Sequence, residues 1–551
     1  MPEFVRVASI HDLADGEMRQ VDADGTAVLL ARVDGTFHAC TAFCTHYGAP
    51  LADGVLDGTT VVCPWHHAAF DVASGALCQP PALDALRRFP VRVDGDDVLV
   101  AAPDDADEHG KGIAYRESDG ETPAMASVDA TADDRLFLLV GAGAAAASCA
   151  EALRAQGYRG RLVMATPETK PPYDRTKLSK GYLADPDDAA LRLRDGAFYE
   201  SHGIEMWTGR AVSALDPDAR TATFEDGETV TYDVALVATG GTPRRLPIEG
   251  ATLDGVQLLR SWEDARTLAD RVGDAESVAI IGASFIGMEA ASSLRGRGLA
   301  VTVVGREETP FENVLGPDVG GVFEKAARDQ GVQFRLGADV QRITTVAADP
   351  EAETPRRLRV ETSAGHVTAD VVLLGVGVSP ATAFLEGADF RRDDGGLIVD
   401  ERLRAAPGLY AAGDVAVVPD ARTGKAVRIE HWRVAQQHGR AAAHAMLADT
   451  DPTLEVAPFA DVPFFWTGQF GLSLRYVGHA ERWDEVIVDG SLDDRDFLAA
   501  YVSGGAVRAI ATVGRDRQAA AAQRLLDRRA LPAPAAFRAG VDLEAVLRDV
   551  G

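Results

Sequence analysis

Two strand–glycine units about 140 residues apart constrain this 551-residue chain more than any other feature. In the first, the apolar run Leu136-Phe137-Leu138-Leu139-Val140 leads into Gly141-Ala142-Gly143-Ala144-Ala145-Ala146, a G-x-G-x-x-A pattern at the head of a helix. In the second, Ser277-Val278-Ala279-Ile280-Ile281 leads into Gly282-Ala283-Ser284-Phe285-Ile286-Gly287-Met288-Glu289, then a helix, then the strand Ala300 to Val304. Such glycines let the backbone approach a pyrophosphate, which then rests on a helix N-terminus. One such pattern also fits a plain Ala-rich helix start. Two of them point to two dinucleotides, FAD in one unit and a nicotinamide in the other. Glu168, just after the strand Arg161 to Ala165, is the candidate for a ribose hydroxyl in the first unit. In the second, Gly305-Arg306-Glu307-Glu308 leaves the coenzyme open. Arg306 suits a 2′-phosphate, Glu307 or Glu308 a 2′-hydroxyl, and the third glycine, Gly287, leans toward NADH.

Upstream, Cys44-Thr45-His46 is followed after sixteen residues by Cys63-Pro64-Trp65-His66. Two thiolates and two imidazoles at C-x-H…C-x-x-H spacing suit a Rieske 2Fe–2S cluster, with Cys44 and Cys63 on one iron and His46 and His66 on the other. A Cys₂His₂ zinc site uses the same ligand types, although zinc motifs usually begin C-x-x-C.

Length implies several domains. A formal charge of −29 argues against nucleic acid or an anionic membrane as partner. The start, Met1-Pro2-Glu3-Phe4, has no basic segment followed by an apolar run, and the three cysteines outside the cluster motif follow no framework spacing. The expected compartment is therefore a reducing cytoplasm.

The expected fold is a multidomain chain: an all-β Rieske domain, two α/β Rossmann-like domains for FAD and NAD(P), and, as a family resemblance implies, a C-terminal α+β reductase domain. Residues 1–102 read as short strands with Asp-Gly turns, and 103–133 as an acidic linker. Residues 134–256 and 380–450 are assigned to the FAD-binding domain, 257–379 to the NAD(P)-binding domain and 451–551 to the C-terminal reductase or interface domain.

The segment Pro172-Tyr173-Asp174-Arg175-Thr176-Lys177-Leu178-Ser179-Lys180 resembles the P-Y-x-R-x-x-L-S-K segment of FAD-dependent pyridine nucleotide reductases. Gly375-Val376-Gly377-Val378-Ser379-Pro380, Leu409-Tyr410-Ala411-Ala412-Gly413-Asp414, Glu430-His431-Trp432 and Val462-Pro463-Phe464-Phe465-Trp466-Thr467 extend the resemblance over roughly residues 135 to 480. With the N-terminal motif, the chain resembles apoptosis-inducing-factor-like flavoproteins that carry a Rieske domain, and next to them the reductases serving oxygenase ferredoxins. The resemblance implies that Arg175, Lys180 and Arg260 face the FAD, that Val212 contacts its adenine, and that Gly413 and Asp414 hold the ribityl or pyrophosphate region. It places Trp432 near the isoalloxazine and makes Lys180 and Glu289 a pair that shapes nicotinamide docking. Arg175 and Arg260 also read as surface ion-pair residues, and Trp432 and Trp466 as packing between domains.

The second cluster loop resembles ferredoxin-type Rieske domains, which read C-P-W-H-G-x-x-F. Ala68 and Phe70 stand where respiratory relatives carry hydroxyls toward the cluster, which implies a potential low in the Rieske range. His67 stands in the glycine position, where it reshapes the loop or competes for iron.

A nicotinamide gives two electrons as hydride and a 2Fe–2S cluster takes one, and a flavin exchanges them either way. The expected function is an NAD(P)H-dependent reductase passing electrons through FAD to the fused cluster and on to an oxygenase or other redox protein. The relay requires the Rieske module to approach the flavin, in cis or within a homodimer. The alternative is a redox-responsive, NADH-binding sensor like some relatives of apoptosis-inducing factor.

Overall fold

The computed structural model describes residues 3–102, 125–187, 191–346, 357–385, 391, 394–451 and 453–550. Most of the expected linker, residues 103–124, lies outside them. Its end follows the first nucleotide unit, where the Ala126 amide donates to the Arg154 carbonyl at 2.9 Å.

The N-terminal part is all β. Met18–Ala23, Thr26–Val33, Thr36–Thr41 and Arg88–Phe89 form one antiparallel sheet, and Val55–Asp57, Thr60–Val62, Ala69–Asp71 and Leu77–Gln79 a second, smaller one. The hairpin turn at Asp24-Gly25 has positive φ at both residues (54° and 87°), the backbone that makes Asp-Gly so frequent there.

In the first nucleotide unit the sheet runs Ile204–Thr208, Arg161–Thr166, Leu136–Val140, Val234–Val237, Leu409–Ala411, Arg404–Ala406, parallel except at the last pair. The second is wholly parallel: Val256–Gln257, Val371–Leu374, Ser277–Ile281, Ala300–Val304, Gln333–Arg335. Leu409–Ala411 returns to the first sheet, so the second unit is an insertion in the first. The edge strand Val256–Gln257 hydrogen-bonds into the second sheet, which places Val256 with that unit rather than with the first.

A five-stranded antiparallel sheet, Phe464–Gln469 to Ala506–Val513, and the helices Asp516–Asp527, Pro534–Arg538 and Leu543–Val550 complete the chain. First and last domains share one apolar cluster: Val55, Val62 and Ala69 pack with Ile510, Leu525 and Phe537. Among the described residues no helix is long and apolar enough to cross a membrane.

Candidate functional site

Two backbone turns bring the cysteine–histidine pairs together. The Cys44 amide donates to the Ala49 carbonyl and the Gly48 amide to the Cys44 carbonyl, both at 2.9 Å. In the second loop the Cys63 amide donates to Ala68 at 2.8 Å and the His67 amide returns to Cys63 at 3.2 Å. Both thiols are buried side by side, and the Nδ1 atoms of His46 and His66 face one another at 3.1 Å. Among the described residues no three His, Cys, Asp or Glu side chains surround a single ion position. The donors come as one pair of thiols and one pair of imidazoles, which fits a binuclear Rieske cluster better than tetrahedral zinc. Burial lowers His46 to about 4 and His66 well below its ordinary value, so both imidazoles are neutral donors at pH 7. Burial pushes the Cys63 thiol up. The Cys44 thiol, the Trp65 and His66 amides and the Arg475 cation outweigh it and hold Cys63 below the ordinary range.

Both imidazoles face the rest of the protein. His46 stacks on Tyr47 at 3.8 Å, and the Tyr47 hydroxyl donates to Asp174. His66 faces the Trp466 ring at 4.4 Å, with His46 6.3 Å from the same ring. Trp65 points outward, 38% exposed. His67 does not turn toward the cluster ligands. It adopts φ +57°, which explains why glycine suits this place, and its buried ring stacks on Phe464 at 3.9 Å.

A cavity of about 890 Å³ runs over the head of the helix Ala144–Ala155. Gly141 has φ +119° and a Cβ there would stand 2.3 Å from the Ala238 carbonyl oxygen, while nothing lies within 4 Å of one at Gly143. The helix thus presents bare backbone to the cavity, as a pyrophosphate requires. Val212, Gly413 and Trp432, the first residue of the helix Trp432–Ala448, also line the wall. Ala146 does not. It is 0% exposed in the core, where a small side chain lets helix and strand pack closely. Glu168, which also borders the cavity, accepts from the Tyr173 hydroxyl at 2.5 Å and from Arg175, whose Nη1 donates to the Arg260 carbonyl at 3.0 Å. Arg260 pairs with Asp414 at 2.7 Å across the cavity.

Glu289 and Lys180 are not among the residues lining this cavity; Glu289, 4% exposed, accepts from Lys180 Nζ at 2.8 Å, Ser179 Oγ at 2.5 Å and Thr467 Oγ1 at 2.7 Å. Three chain segments meet on one buried carboxylate.

In the second unit Gly282 has φ +115° and lies against the Gly375 carbonyl, and a Cβ at Gly287 would stand 2.1 Å from the Gly282 oxygen. Ser284 is the N-cap of Phe285–Gly296, and Gly377 has φ +87°. Arg306 is exposed. The Glu307 carboxylate folds back to 3.2 Å from where a Cβ on Gly305 would stand, at the end of the strand.

Sequence patterns point to none of Tyr47, Asp174, Thr467 and Arg475 as cluster or carboxylate neighbours: Asp174 and Thr467 stand inside family segments and Tyr47 follows His46, but what they touch is set by contacts between distant parts of the chain. Trp466 carried a signal only as an aromatic within a family segment.

Residues 137–439 match the pyridine nucleotide-disulphide oxidoreductase family, 3–90 the Rieske [2Fe-2S] domain and 464–548 the reductase C-terminal domain. Apoptosis-inducing factor 3 of Homo sapiens is 36% identical over 513 residues, covering 93% of this chain and 82% of that protein. The rhodocoxin reductase of Rhodococcus erythropolis is 34% identical, covering 71% of this chain and 89% of its own. Among solved structures, the covalent putidaredoxin reductase–putidaredoxin complex aligns with TM-score 0.69 at 28% identity, covering 75% of this chain and 98% of that one.

Proposed function

The chain belongs to the pyridine nucleotide-disulphide oxidoreductase family, and from that premise we propose residue roles, coenzyme and acceptor for an FAD-dependent NAD(P)H oxidoreductase with a fused Rieske domain. The coenzyme is NADH, and the onward acceptor is a redox protein of the kind that serves an oxygenase. When bound, FAD would accept one hydride, a pair of electrons, and release the electrons singly, and a 2Fe–2S cluster would take them one at a time.

One observation carries the reading. Trp466 and Thr467 are successive residues of the strand Phe464–Gln469, so their side chains leave on opposite faces. Trp466 packs on the cluster imidazoles and Thr467 holds Glu289 of the Lys180–Glu289 pair. A single strand therefore links the metal-ligating loops to the Glu289 carboxylate, within one chain.

The surrounding residues have separate tasks. Gly141 and Gly143 leave the helix head open to the pyrophosphate, and Glu168 with Tyr173 orients Arg175. Glu307, beside Gly305, suits a ribose 2′-hydroxyl and disfavours a 2′-phosphate. Trp432 closes the cavity, and Lys180 keeps the buried Glu289 carboxylate paired. The disulfide chemistry in the family's name has no basis here. Cys149 is buried in the first helix, 3.8 Å from the Met446 sulfur, and all five cysteines are free.

Anaerobic titration with NADH tests the reading. The cluster EPR signal should appear at substoichiometric NADH, and cytochrome c reduction should require the cluster. A long-lived reduced-flavin complex without cluster reduction supports the sensor alternative instead.

A further inference from the structure

We propose that His67 is a positioning residue that clasps the second cluster loop to the reductase body through Gln523 and Arg433, making the Rieske module a fixed relay rather than a swinging carrier. The inference rests on the electron route proposed above.

It begins at the backbone. His67 holds a left-handed φ of +57°, where glycine is at ease and a residue with a Cβ is not. A side chain persists in that conformation when its contacts outweigh the strain. The imidazole is 0% exposed and stacked on Phe464 of the C-terminal sheet with 21° between the ring planes. Its Nδ1 lies 2.6 Å from the Gln523 amide on the helix Asp516–Asp527. When that amide nitrogen donates to Nδ1, its oxygen accepts from Arg433 Nη1 and Nη2 at 3.1 and 2.8 Å, so the amide is paired at both ends, while His67 Nε2 stays buried without a partner.

Arg433 follows Trp432 in the helix bordering the flavin cavity and is itself 0% exposed. Its Nε donates to the Pro80 carbonyl at 2.7 Å, back in the Rieske module. The hydrogen bonds therefore leave the module at His67, pass through two helices of the body and return at Pro80. Two points of the module, His67 and Pro80, are gripped by one buried network, in which each bond strengthens its neighbours.

The surroundings favour a permanent seat. Asp57 receives Arg524 Nε at 2.7 Å, and also Arg528, from the C-terminal helix that carries Gln523 or its end. Arg194 bridges Asp84 of the module at 2.8 Å and Glu151 of the first nucleotide unit at 3.1 Å. The apolar cluster joining Val62 to Leu525 closes the seam. Of the polar contacts His67 is the one that directly follows a ligand, so it sets how deeply His66 sits against Trp466. Glycine at this place satisfies the backbone and makes none of these contacts.

The test uses the full chain loaded with FAD and cluster, as wild type, His67→Gly, Gln523→Leu and the double variant. Glycine adopts the same φ without strain, so His67→Gly removes only the clasp. Hydride transfer from NADH to FAD, FAD content and the EPR of the dithionite-reduced cluster should be unchanged. Cluster reduction by NADH should slow roughly tenfold, the order seen when a supporting shell around a metal ligand is lost. Hydrogen exchange should rise in Thr60–Val62 and Phe464–Gln469, and the double variant should match the single ones. Unchanged exchange and unchanged cluster reduction overturn the clasp. If His67→Gly loses the cluster, Gln523→Leu decides alone. If NADH never reduces the wild-type cluster, the electron route fails, and hydrogen exchange still decides the clasp.

Discussion

The Trp466 ring centroid lies 4.4 Å from that of His66, with the planes 47° apart, so the indole caps one ligand imidazole while its backbone belongs to the reductase sheet. Replacing it with Ala empties the seam, at a cost of about 3 kcal/mol of stability. Trp466→Ala should slow NADH-driven cluster reduction and leave flavin reduction by NADH intact. Stopped-flow traces of the two chromophores check this, and equal slowing of both would mean that Trp466 acts on the flavin side.

Cys63→Ser removes one of the two buried thiols and should abolish the Rieske EPR signal. FAD should stay bound, because its cavity takes its walls from the nucleotide units rather than from the cluster loops. Absorbance and EPR on one preparation test both halves of this expectation.

Lys180→Met leaves Glu289, 4% exposed, with only its two hydroxyl donors. Removing one partner of a buried ion pair costs about 3–5 kcal/mol. Calorimetry should show a lowered melting temperature, and on the proposed role of the Lys180–Glu289 pair the NADH-to-flavin step should slow as well. An unchanged melting temperature would place the pair in water.

Coenzyme choice separates Glu307 from Arg306. Glu307→Gln should raise the KM for NADH roughly tenfold, the size of one lost charge-assisted hydrogen bond. Arg306→Ala should leave the NADH constant alone, since its side chain is exposed. If Arg306→Ala weakens NADPH alone, the arginine reads a 2′-phosphate after all.

Acid should weaken the flavin site through His438. Burial lowers this imidazole from 6.5 to about 4, against the pull of Asp414, and its Nδ1 accepts from the Gly413 amide at 3.3 Å. Below pH 6.5 the unfolded chain binds the proton and the folded one does not. The stabilisation is therefore whole above 6.5 and lost as pH falls to about 4, about 3 kcal/mol in all. Asp527, pushed up by burial to about 6, acts in the opposite sense over an overlapping range. Comparing His438→Gln with wild type at each pH isolates the histidine. The variant should lose less stability and retain FAD further into acid, and parallel curves would reject the role.

Much of the site is legible in the chain because its rules are local. Gly141 and Gly282 are legible as tight turns, at φ +119° and +115°, and Gly287 as a close approach, since a Cβ there would meet the Gly282 carbonyl. The cluster ligands are legible because two short turns with fixed spacing set both pairs. Ala146 was assigned to the cofactor wall by its place in the pattern, whereas packing puts it in the core. Val256 is the last residue of the expected FAD-binding segment yet pairs with the second sheet, because a two-residue edge strand carries no periodic signal.

The amino-acid order by itself determined two nucleotide units, a cysteine–histidine pair of loops and their sequence along the chain, because glycine conformation and ligand chemistry act over a few residues. Tertiary structure alone decided which way the imidazoles look and what meets them. His67 and Gln523 are 456 residues apart, and Asp57 and Arg524 are 467 apart, so these contacts exist only once separately folded units have packed.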